Sequence, residues 1–375
     1  MKNPVMKAKN LTISVLLCLA AISNGQDYPD EFFLSEKEYI ESRILNQTRL
    51  LFVYLPNNYY SDTTLRYPVH YVTDAPATSN LYFELTRLHS LGNYIPKCIV
   101  VGLSSDNRET LLHPDREADS YLEFIEKEVI PFIENKYRTE KYRALAGHSM
   151  GGAFTFYTFL KRPELFNAYI AGSPGPLETI INIASKKENF NSLIDNKFFF
   201  SSIGSKETES LDGYNLLIEL FSRNKPEKLD FQSGINTGEN HISNISVNYQ
   251  SGITQLYHDW QFILPSSLER PADELLRDHL SKLKTRLGYE PILGEWEVFF
   301  PIMDQLARRG DFKNAIGILN YCIEVYPNSD QAYAFLAMAH FDTGEIEEGI
   351  KYLEKALELN PENQFAKEMS RRIKR

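Results

Sequence analysis

Residues 143–160 read RALAGHSMGGAFTFYTFL, and this stretch is the clearest indication of the fold of the chain. Its first four residues predict a short β-strand, and residues 153–160 predict a helix. A sharp turn between them would hold the Ser149 hydroxyl out beside a base, which a serine needs in order to attack. Such a turn is crowded, so glycine is required two residues before and two residues after the serine, where Gly147 and Gly151 stand. The stretch predicts that Ser149 is a nucleophile; a glycine-rich helix start with an idle serine is the alternative.

Strand-like and helix-like segments alternate on both sides of this turn. The predicted strands lie at 50–55, 68–73, 99–103, 143–146, 168–171, 198–203 and 228–233. Helical patterns of apolar residues span 118–137, 153–160 and 211–223. Strands that alternate with helices favour a mostly parallel sheet covered by helices on both faces, so we predict an α/β domain.

The pattern changes near residue 265, beyond which the sequence shows no clear strand. Gly310 and Gly344 lie 34 residues apart, and so do Pro327 and Pro361. A period of this length, with small residues at helix contacts and a closing proline, is typical of tetratricopeptide repeats. We therefore predict that a small all-α module of such repeats, completed by a capping helix, follows the α/β domain.

The N-terminal segment has the pattern of a secretory signal. Three lysines precede an apolar run over 11–22, and small residues follow it up to Gly25. The run is too short for a stable membrane span, so we expect cleavage after Gly25 and an exported protein, periplasmic or secreted. An uncut anchor and a lipid on Cys18 are the alternatives. The predicted organisation is a signal peptide at 1–25, an α/β domain at 26–265, a helical linker at 266–294 and the repeats at 295–375.

Composition narrows the range of partners. The net charge of −10 argues against a nucleic-acid partner, because a polyanion would be repelled. No spacing typical of a metal, phosphate or dinucleotide site occurs, so we predict no metal and no organic cofactor. Cys98 and Cys322 are predicted to be buried and unpaired.

The base that activates Ser149 should be a histidine further along the chain, since the order in this type of fold is serine, acid, histidine. His241 lies in a polar loop after a predicted strand, where the fold would present its base. His258 stands among large aromatic residues and is more typical of packing. We predict His241 as the base, with His258 as the second choice.

The acid should follow the predicted strand at 198–203. Three acidic residues are available there, and we take Glu207 first, then Glu209, then Asp212. The carboxylate would orient the imidazole and stabilise its charged form.

Two backbone N–H groups are needed to stabilise an oxyanion. The N–H of Met150 directly follows the nucleophile and is the first of them. The second should come from the loop after the strand at 68–73. Because Pro76 has no N–H, Ala75 is the predicted donor.

Several stretches together resemble the putative esterase (esterase D-like) family of the α/β-hydrolase superfamily. These stretches are RYPVHYVTD at 66–74, VVGL at 100–103 leading to Asn107-Arg108, GHSMGG at 147–152 and AGSP at 171–174. The family includes siderophore, feruloyl and acetyl-xylan esterases, S-formylglutathione hydrolases and mycolyltransferases. The resemblance covers about residues 30–262 and implies an α/β-hydrolase fold.

The resemblance also implies roles for single residues. It assigns Ser149, Glu207 and His241 to a catalytic triad, and it places Arg108 near the substrate. We also predict that His148 contacts the substrate. A plain surface charge is the alternative interpretation of Arg108. Family members usually have glycine where this chain has Ala75, and alanine resists backbone conformations that glycine adopts.

The sequence favours a serine esterase that acts on a small-molecule ester, such as a siderophore-type ester, or on a carbohydrate-linked one. One alternative is an impaired esterase-like scaffold that binds a protein partner through its repeats. Another is an acyltransferase, which needs an acceptor other than water. No membrane span is expected after cleavage of the signal.

Overall fold

The computed structural model describes residues 35–373, except for 58, 61, 62, 64, 105, 187–196, 292 and 293. The predicted signal peptide at 1–25 lies outside the described residues. An α/β unit comprises Ser35–Ile263 and Leu275–Leu293, and a helical unit comprises Leu264–Glu274 and Gly294–Arg375. The segment predicted as a linker, 266–294, is therefore divided between the two units.

The α/β unit is built on one sheet of eight strands in the order β1-β2-β4-β3-β5-β6-β7-β8. The strands are β1 (Glu36–Ser42), β2 (Gln47–Tyr54), β3 (Tyr67–Ala75), β4 (Ile99–Ser104), β5 (Thr139–His148), β6 (Ala168–Gly172), β7 (Lys197–Gly204) and β8 (Leu229–Asn236). Strand β2 pairs antiparallel with β1 and β4, and all the other pairs are parallel.

Helices connect the parallel strands. They are α1 (Ala77–Leu91), α2 (Arg108–Leu111), α3 (Ala118–Phe124), α4 (Ile130–Lys136), α5 (Met150–Lys161), α6 (Leu177–Ser185), α7 (Leu211–Asn224) and α8 (Asn244–Leu256). A π-helical turn, Ile125–Val129, joins α3 to α4. Helix α9 (Ala272–Leu287) begins in the helical unit and ends in the α/β unit.

Burial explains why these segments form the centre of the sheet. Every residue of β4 and β6 is buried, and so is every residue of β3 except Asp74. Since successive side chains point to opposite faces of a strand, both faces must be covered. The α/β prediction is confirmed, and so are all seven predicted strands.

Strand β1 is absent from the prediction. Its sequence, EKEYIES, contains one aliphatic residue, Ile40, and only Ile40 and Ser42 are buried. A strand at the edge of a sheet needs little apolar surface, so it leaves no hydrophobic pattern to detect.

The helical unit contains two helix pairs and a final helix. These are α10 (Phe300–Arg308) with α11 (Phe312–Val325), α12 (Asp330–Thr343) with α13 (Ile346–Leu359), and α14 (Gln364–Ile373). Gly310 and Gly344, the residues that revealed the repeat, end α10 and α12 with φ of 73° and 83°. Glycine adopts this left-handed conformation without the strain that other residues suffer. None of the helices in the described part of the chain is long and apolar enough to cross a membrane.

Candidate active site

Ser149 occupies a strained turn between β5 and α5. Its backbone has φ of 58° and ψ of −119°, in a region that only glycine adopts easily. The neighbouring glycines are required, because a Cβ on Gly147 would overlap the Gly151 carbonyl and a Cβ on Gly151 would overlap the Thr73 hydroxyl. The Ser149 N–H donates to the Gly172 carbonyl at 2.8 Å, which ties the turn to β6. Strain of this kind costs about 1–3 kcal/mol and persists only where the surroundings hold it.

His241 and Glu207 form a hydrogen-bonded pair. His241 Nδ1 lies 2.7 Å from Glu207 Oε2, and the histidine side chain is 45% exposed while that of the glutamate is 8% exposed. The other carboxylate oxygen, Oε1, accepts from Ser173 Oγ at 2.6 Å and from the Gly204 N–H at 2.8 Å. A sheltered acid thus holds an imidazole that is open to solvent.

These contacts keep Glu207 ionised. Burial acts to raise the pKa of the Glu207 carboxyl, but hydrogen bonds from Ser173, His241 and the Gly204 backbone outweigh it and lower the pKa. An ionised carboxylate can accept the His241 Nδ1–H, which leaves Nε2 as the nitrogen able to take a proton.

The residues predicted as alternative acids and as the alternative base are not part of this hydrogen-bonded pair. Glu209 and Asp212 are exposed, and the acid in contact with His241 is Glu207. His258 is exposed as well, and its Nδ1 lies 3.0 Å from the Gln255 carbonyl. It is therefore not the packing residue that its aromatic neighbours in the sequence indicated.

A layer of buried polar residues behind Glu207 was missed from the sequence. Asn244, fully buried at the start of α8, donates from Nδ2 to Ser173 Oγ at 2.8 Å. Its Oδ1 accepts from Asn236 Nδ2 at 2.6 Å. Asn244 thereby fixes the Ser173 hydroxyl so that it donates to the carboxylate. The only signal in the sequence was an asparagine three residues beyond the candidate base.

His148 lies beneath His241. Its side chain is 5% exposed, and the centres of the two rings are 4.7 Å apart. Burial, together with the neighbouring His241, lowers the pKa of His148 to about 4, so the ring is neutral near neutral pH. So little of the residue is accessible that the structure gives no support to the substrate contact predicted for His148, which stays a prediction.

The loop after β3 does not present Ala75 as predicted. Ala75 pairs with Ser104 in the parallel ladder between β3 and β4, beyond an irregularity that begins at Val72. A parallel pair at this position takes its donor either from Ala75 or from the residue after it, and Pro76 has no N–H. The Ala75 N–H is therefore directed at β4, and its predicted role as an oxyanion donor does not fit. The pairing register that decides this point cannot be read from the sequence.

Arg108 and Asp74 form a bidentate ion pair next to the Ser149 turn. Arg108 Nε lies 2.6 Å from Asp74 Oδ1, and Nη2 lies 3.1 Å from Oδ2. Asp74 Oδ2 is also 3.1 Å from the position that a Cβ on Gly151 would occupy. The arginine side chain is 31% exposed, so it is neither a free surface charge nor a buried one. Its predicted role as a substrate contact stays a prediction.

Met150 is the first residue of α5, where backbone N–H groups have no partner within the helix. Its N–H is thus available as the predicted oxyanion donor.

Cys98 and Cys322 are both buried and free, as predicted. In the ranges that the structure describes, no group of three or more His, Cys, Asp or Glu side chains could hold a metal ion.

Known proteins are similar in sequence to part of this chain. Ferri-bacillibactin esterase BesA of Bacillus subtilis is 29% identical over 189 residues, which are 42% of this chain and 64% of that protein. Siderophore triacetylfusarinine C esterase of Aspergillus fumigatus is 25% identical over 174 residues, 39% of this chain and 60% of that protein. The chain therefore spans slightly less than two thirds of the length of each of these relatives.

Solved structures show the same fold. An IroE-like serine hydrolase from Shewanella oneidensis superposes with a TM-score of 0.63 at 23% identity, over 76% of this chain and 98% of that one. Residues 42–208 match the family described as Putative esterase, and residues 330–363 match the Tetratricopeptide repeat. The chain is therefore similar to the putative esterase family over residues 42–208, within an α/β-hydrolase fold that is followed by a helical module with a tetratricopeptide repeat.

Proposed function

We propose that this chain is a serine hydrolase that cleaves carboxylic esters through an acyl-enzyme intermediate, with Ser149 as the nucleophile. The observation that carries the proposal is the pair of His241 and Glu207, held 2.7 Å apart, with the His241 ring 4.7 Å from the ring of His148, the residue before Ser149. A nucleophile, a base and an acid that orients the base are the parts that acyl transfer requires.

The proposed reaction uses each of these groups in turn. The Ser149 hydroxyl adds to the ester carbonyl carbon while His241 Nε2 takes its proton, and Glu207 stabilises the resulting imidazolium. The Met150 N–H donates to the oxyanion. The intermediate then collapses, the C–O bond to the alcohol breaks, and His241 returns the proton to the departing alcohol. Water repeats the sequence on the acyl-enzyme and releases the acid.

The substrate class we favour is a small-molecule ester of the siderophore type. The names of the two curated relatives, a ferri-bacillibactin esterase and a siderophore triacetylfusarinine C esterase, support this choice. A carbohydrate-linked ester is the second candidate. Arg108, 31% exposed and paired with Asp74 near Gly151, supports a substrate contact on that side of the serine turn.

The helical unit supports a second, compatible role. Tetratricopeptide repeats commonly bind segments of other proteins, and residues 330–363 match such a repeat. We propose that this unit binds a protein partner. If the Ser149 site were inert, binding through the repeats would be the main function of the chain.

We also propose that the protein is exported, to the periplasm or the medium. The proposal rests on the charged and apolar pattern of residues 1–25. Fractionation of producing cells, with N-terminal sequencing of the purified protein, tests it. A protein recovered from the cytosol with Met1 intact would contradict it.

The experiment that tests the esterase proposal is labelling of the protein with a fluorophosphonate, which traps activated serines. Peptide mapping should find the label on Ser149, and the variants Ser149→Ala and His241→Ala should lose it. Turnover of a panel of nitrophenyl esters should disappear in the same two variants. A folded wild-type protein that neither takes up the label nor turns over any ester would leave the binding role as the better description.

A further inference from the structure

The predicted second oxyanion donor of the serine turn is not available at Ala75. Enzymes of this kind use two, one after the nucleophile and one from the loop after β3. Here the Ala75 N–H is directed at β4 and Pro76 has no N–H, so neither of these two residues offers a backbone donor. Losing one such donor typically costs a serine hydrolase about a hundredfold to a thousandfold in kcat. If the chain is an esterase, another group must take the place.

We propose that the Arg108 guanidinium is the second oxyanion donor and therefore a catalytic residue of this chain. The proposal rests on the esterase function proposed above and deepens it. It gives Arg108 a contact with the reacting oxygen atom, whereas a contact with a remote group of the substrate would only aid binding.

The position of the guanidinium supports this role. Arg108 reaches from the start of α2, after β4, to the end of β3, where Asp74 holds it with two hydrogen bonds of 2.6 and 3.1 Å. The Asp74 carboxylate in turn adjoins Gly151, two residues after the nucleophile. Arg108 is also close enough to His148, one residue before the nucleophile, for its charge to lower the pKa of that histidine.

The Arg108 guanidinium also has enough N–H groups to bind both Asp74 and an oxyanion. A guanidinium has five N–H groups in a fixed plane. Two of them bind Asp74, and a third is 3.5 Å from Glu109 Oε1, a long contact that a substrate could displace. N–H groups thus remain on a side chain whose orientation is already fixed, which is the condition for effective oxyanion stabilisation.

The charges of Arg108 and Asp74 also support the proposed role of Arg108 as an oxyanion donor. A carboxylate beside the serine turn opposes a developing negative charge. Arg108 neutralises Asp74 and adds donors, so the pair as a whole can favour the oxyanion. Asp74 is a positioning residue in this arrangement, because it acts by holding the guanidinium.

The test compares kcat and KM for a minimal ester, p-nitrophenyl acetate, in wild-type protein and in Arg108→Met. This substrate has no acidic group for an arginine to bind, so a contact with a remote group of the substrate cannot explain a change in its turnover. We expect kcat to fall about a hundredfold with KM changed little, and the rate of fluorophosphonate labelling to fall in parallel. Arg116→Met, in the same segment, should match the wild type.

Two further variants exclude the simpler explanation that Arg108→Met only leaves Asp74 unpaired. If that were the cause, the double variant Asp74→Asn with Arg108→Met would recover turnover; we expect it to stay low. Added guanidinium ion should partly restore Arg108→Ala but not Ser149→Ala. Unchanged kcat in a folded Arg108→Met variant of an active wild type would overturn the inference alone. A wild type without esterase activity and without labelling would instead overturn the proposed function.

Discussion

Ser173 Oγ donates a 2.6 Å hydrogen bond to Oε1 of Glu207, a residue 34 positions further along the chain. The same hydroxyl accepts from the buried Nδ2 of Asn244. Since a hydroxyl has one proton, the amide forces that proton towards the carboxylate. The hydrogen bond therefore has a fixed direction, and it stabilises the ionised form of Glu207.

Ser173→Ala should raise the pKa of Glu207 and destabilise the fold. A hydrogen bond to a charged group contributes about 1.5–3 kcal/mol. Because the pKa of Glu207 is lowered in the folded state, its contribution is present above the unfolded pKa and is lost as pH falls through the folded pKa. The loss of stability should therefore be largest near neutral pH and should shrink in acid. Urea unfolding at about pH 7 and about pH 4 measures it.

Ser185→Ala is the matched control, since the Ser185 hydroxyl donates to the Asn182 carbonyl on an exposed surface. It should change the free energy of unfolding little at either pH. If Ser173→Ala has the same stability as Ser185→Ala at both pH values, the hydrogen bond to Glu207 does not contribute to the stability of the fold.

Glu207→Gln should abolish most turnover while leaving the fold intact. The amide still fills the space, but its nitrogen cannot accept the Nδ1–H of His241, so the imidazole takes the wrong tautomer or orientation. The analogous change in a known triad lowers kcat by roughly ten-thousandfold. Glu209→Gln, two residues away and exposed, should keep wild-type kcat. Equal losses in both variants, measured on the same nitrophenyl ester, would contradict the assignment of the acid.

The strands and the serine turn could be predicted because each is a local pattern. An apolar run that is covered on both faces is visible without knowing its neighbours, as in β4, where all six residues are buried. The strained turn is visible too, because Gly147 and Gly151 have no room for a Cβ. Strand β1 was missed because its buried residues are too few to form a pattern.

The rest of the site depends on contacts between distant segments. Ser173 and Asn244 meet across 71 residues, and nothing in either segment indicates the other. The error at Ala75 has the same origin, because its role depends on the register between β3 and β4. Pro76 was visible in the sequence, but its consequence appears only once Ala75 is seen to pair with Ser104.

His148 should make the protein less stable in mild acid. Its pKa is lowered from 6.5 to about 4 by burial and by the nearby His241 and Arg108, against an opposing effect of Glu207. Between these two values the unfolded chain binds a proton that the folded chain excludes, so stability falls as pH decreases through this window. His148→Asn should flatten the profile there. The measurement is the midpoint of urea unfolding at several pH values across the window.

His258→Asn, a change at an exposed histidine, is the control for that profile and should follow the wild type. His70 is buried between Tyr82 and Tyr257, and its pKa is lowered to about 3, so it adds a slope of the same sign in every variant. The comparison therefore rests on the difference between variants. Identical slopes for wild type and His148→Asn would mean that His148 does not contribute.

Gly151→Ala should damage the serine turn more than a substitution of the same size elsewhere. The added Cβ would overlap the Thr73 hydroxyl and lie 3.1 Å from Asp74 Oδ2, so the start of α5 must move. Overpacking of this kind costs about 1–3 kcal/mol, and the movement should also slow fluorophosphonate labelling of Ser149. Gly213→Ala in α7 is the control, since its Cβ would meet only the Leu177 side chain at 3.2 Å, and alanine favours a helix.

If the clash with Thr73 is the cause, removing its side-chain atoms should relieve it. The double variant Thr73→Ala with Gly151→Ala should then be more stable than the sum of the two single changes predicts, because the two sites share one space. Thermal unfolding of the four proteins measures this coupling, and labelling rates show whether the turn recovers its geometry. If the two changes in stability are simply additive and labelling stays slow, the Cβ at position 151 is crowded by Asp74 and not by Thr73. The pair of Asp74 and Arg108 would then be the contact that requires glycine at position 151.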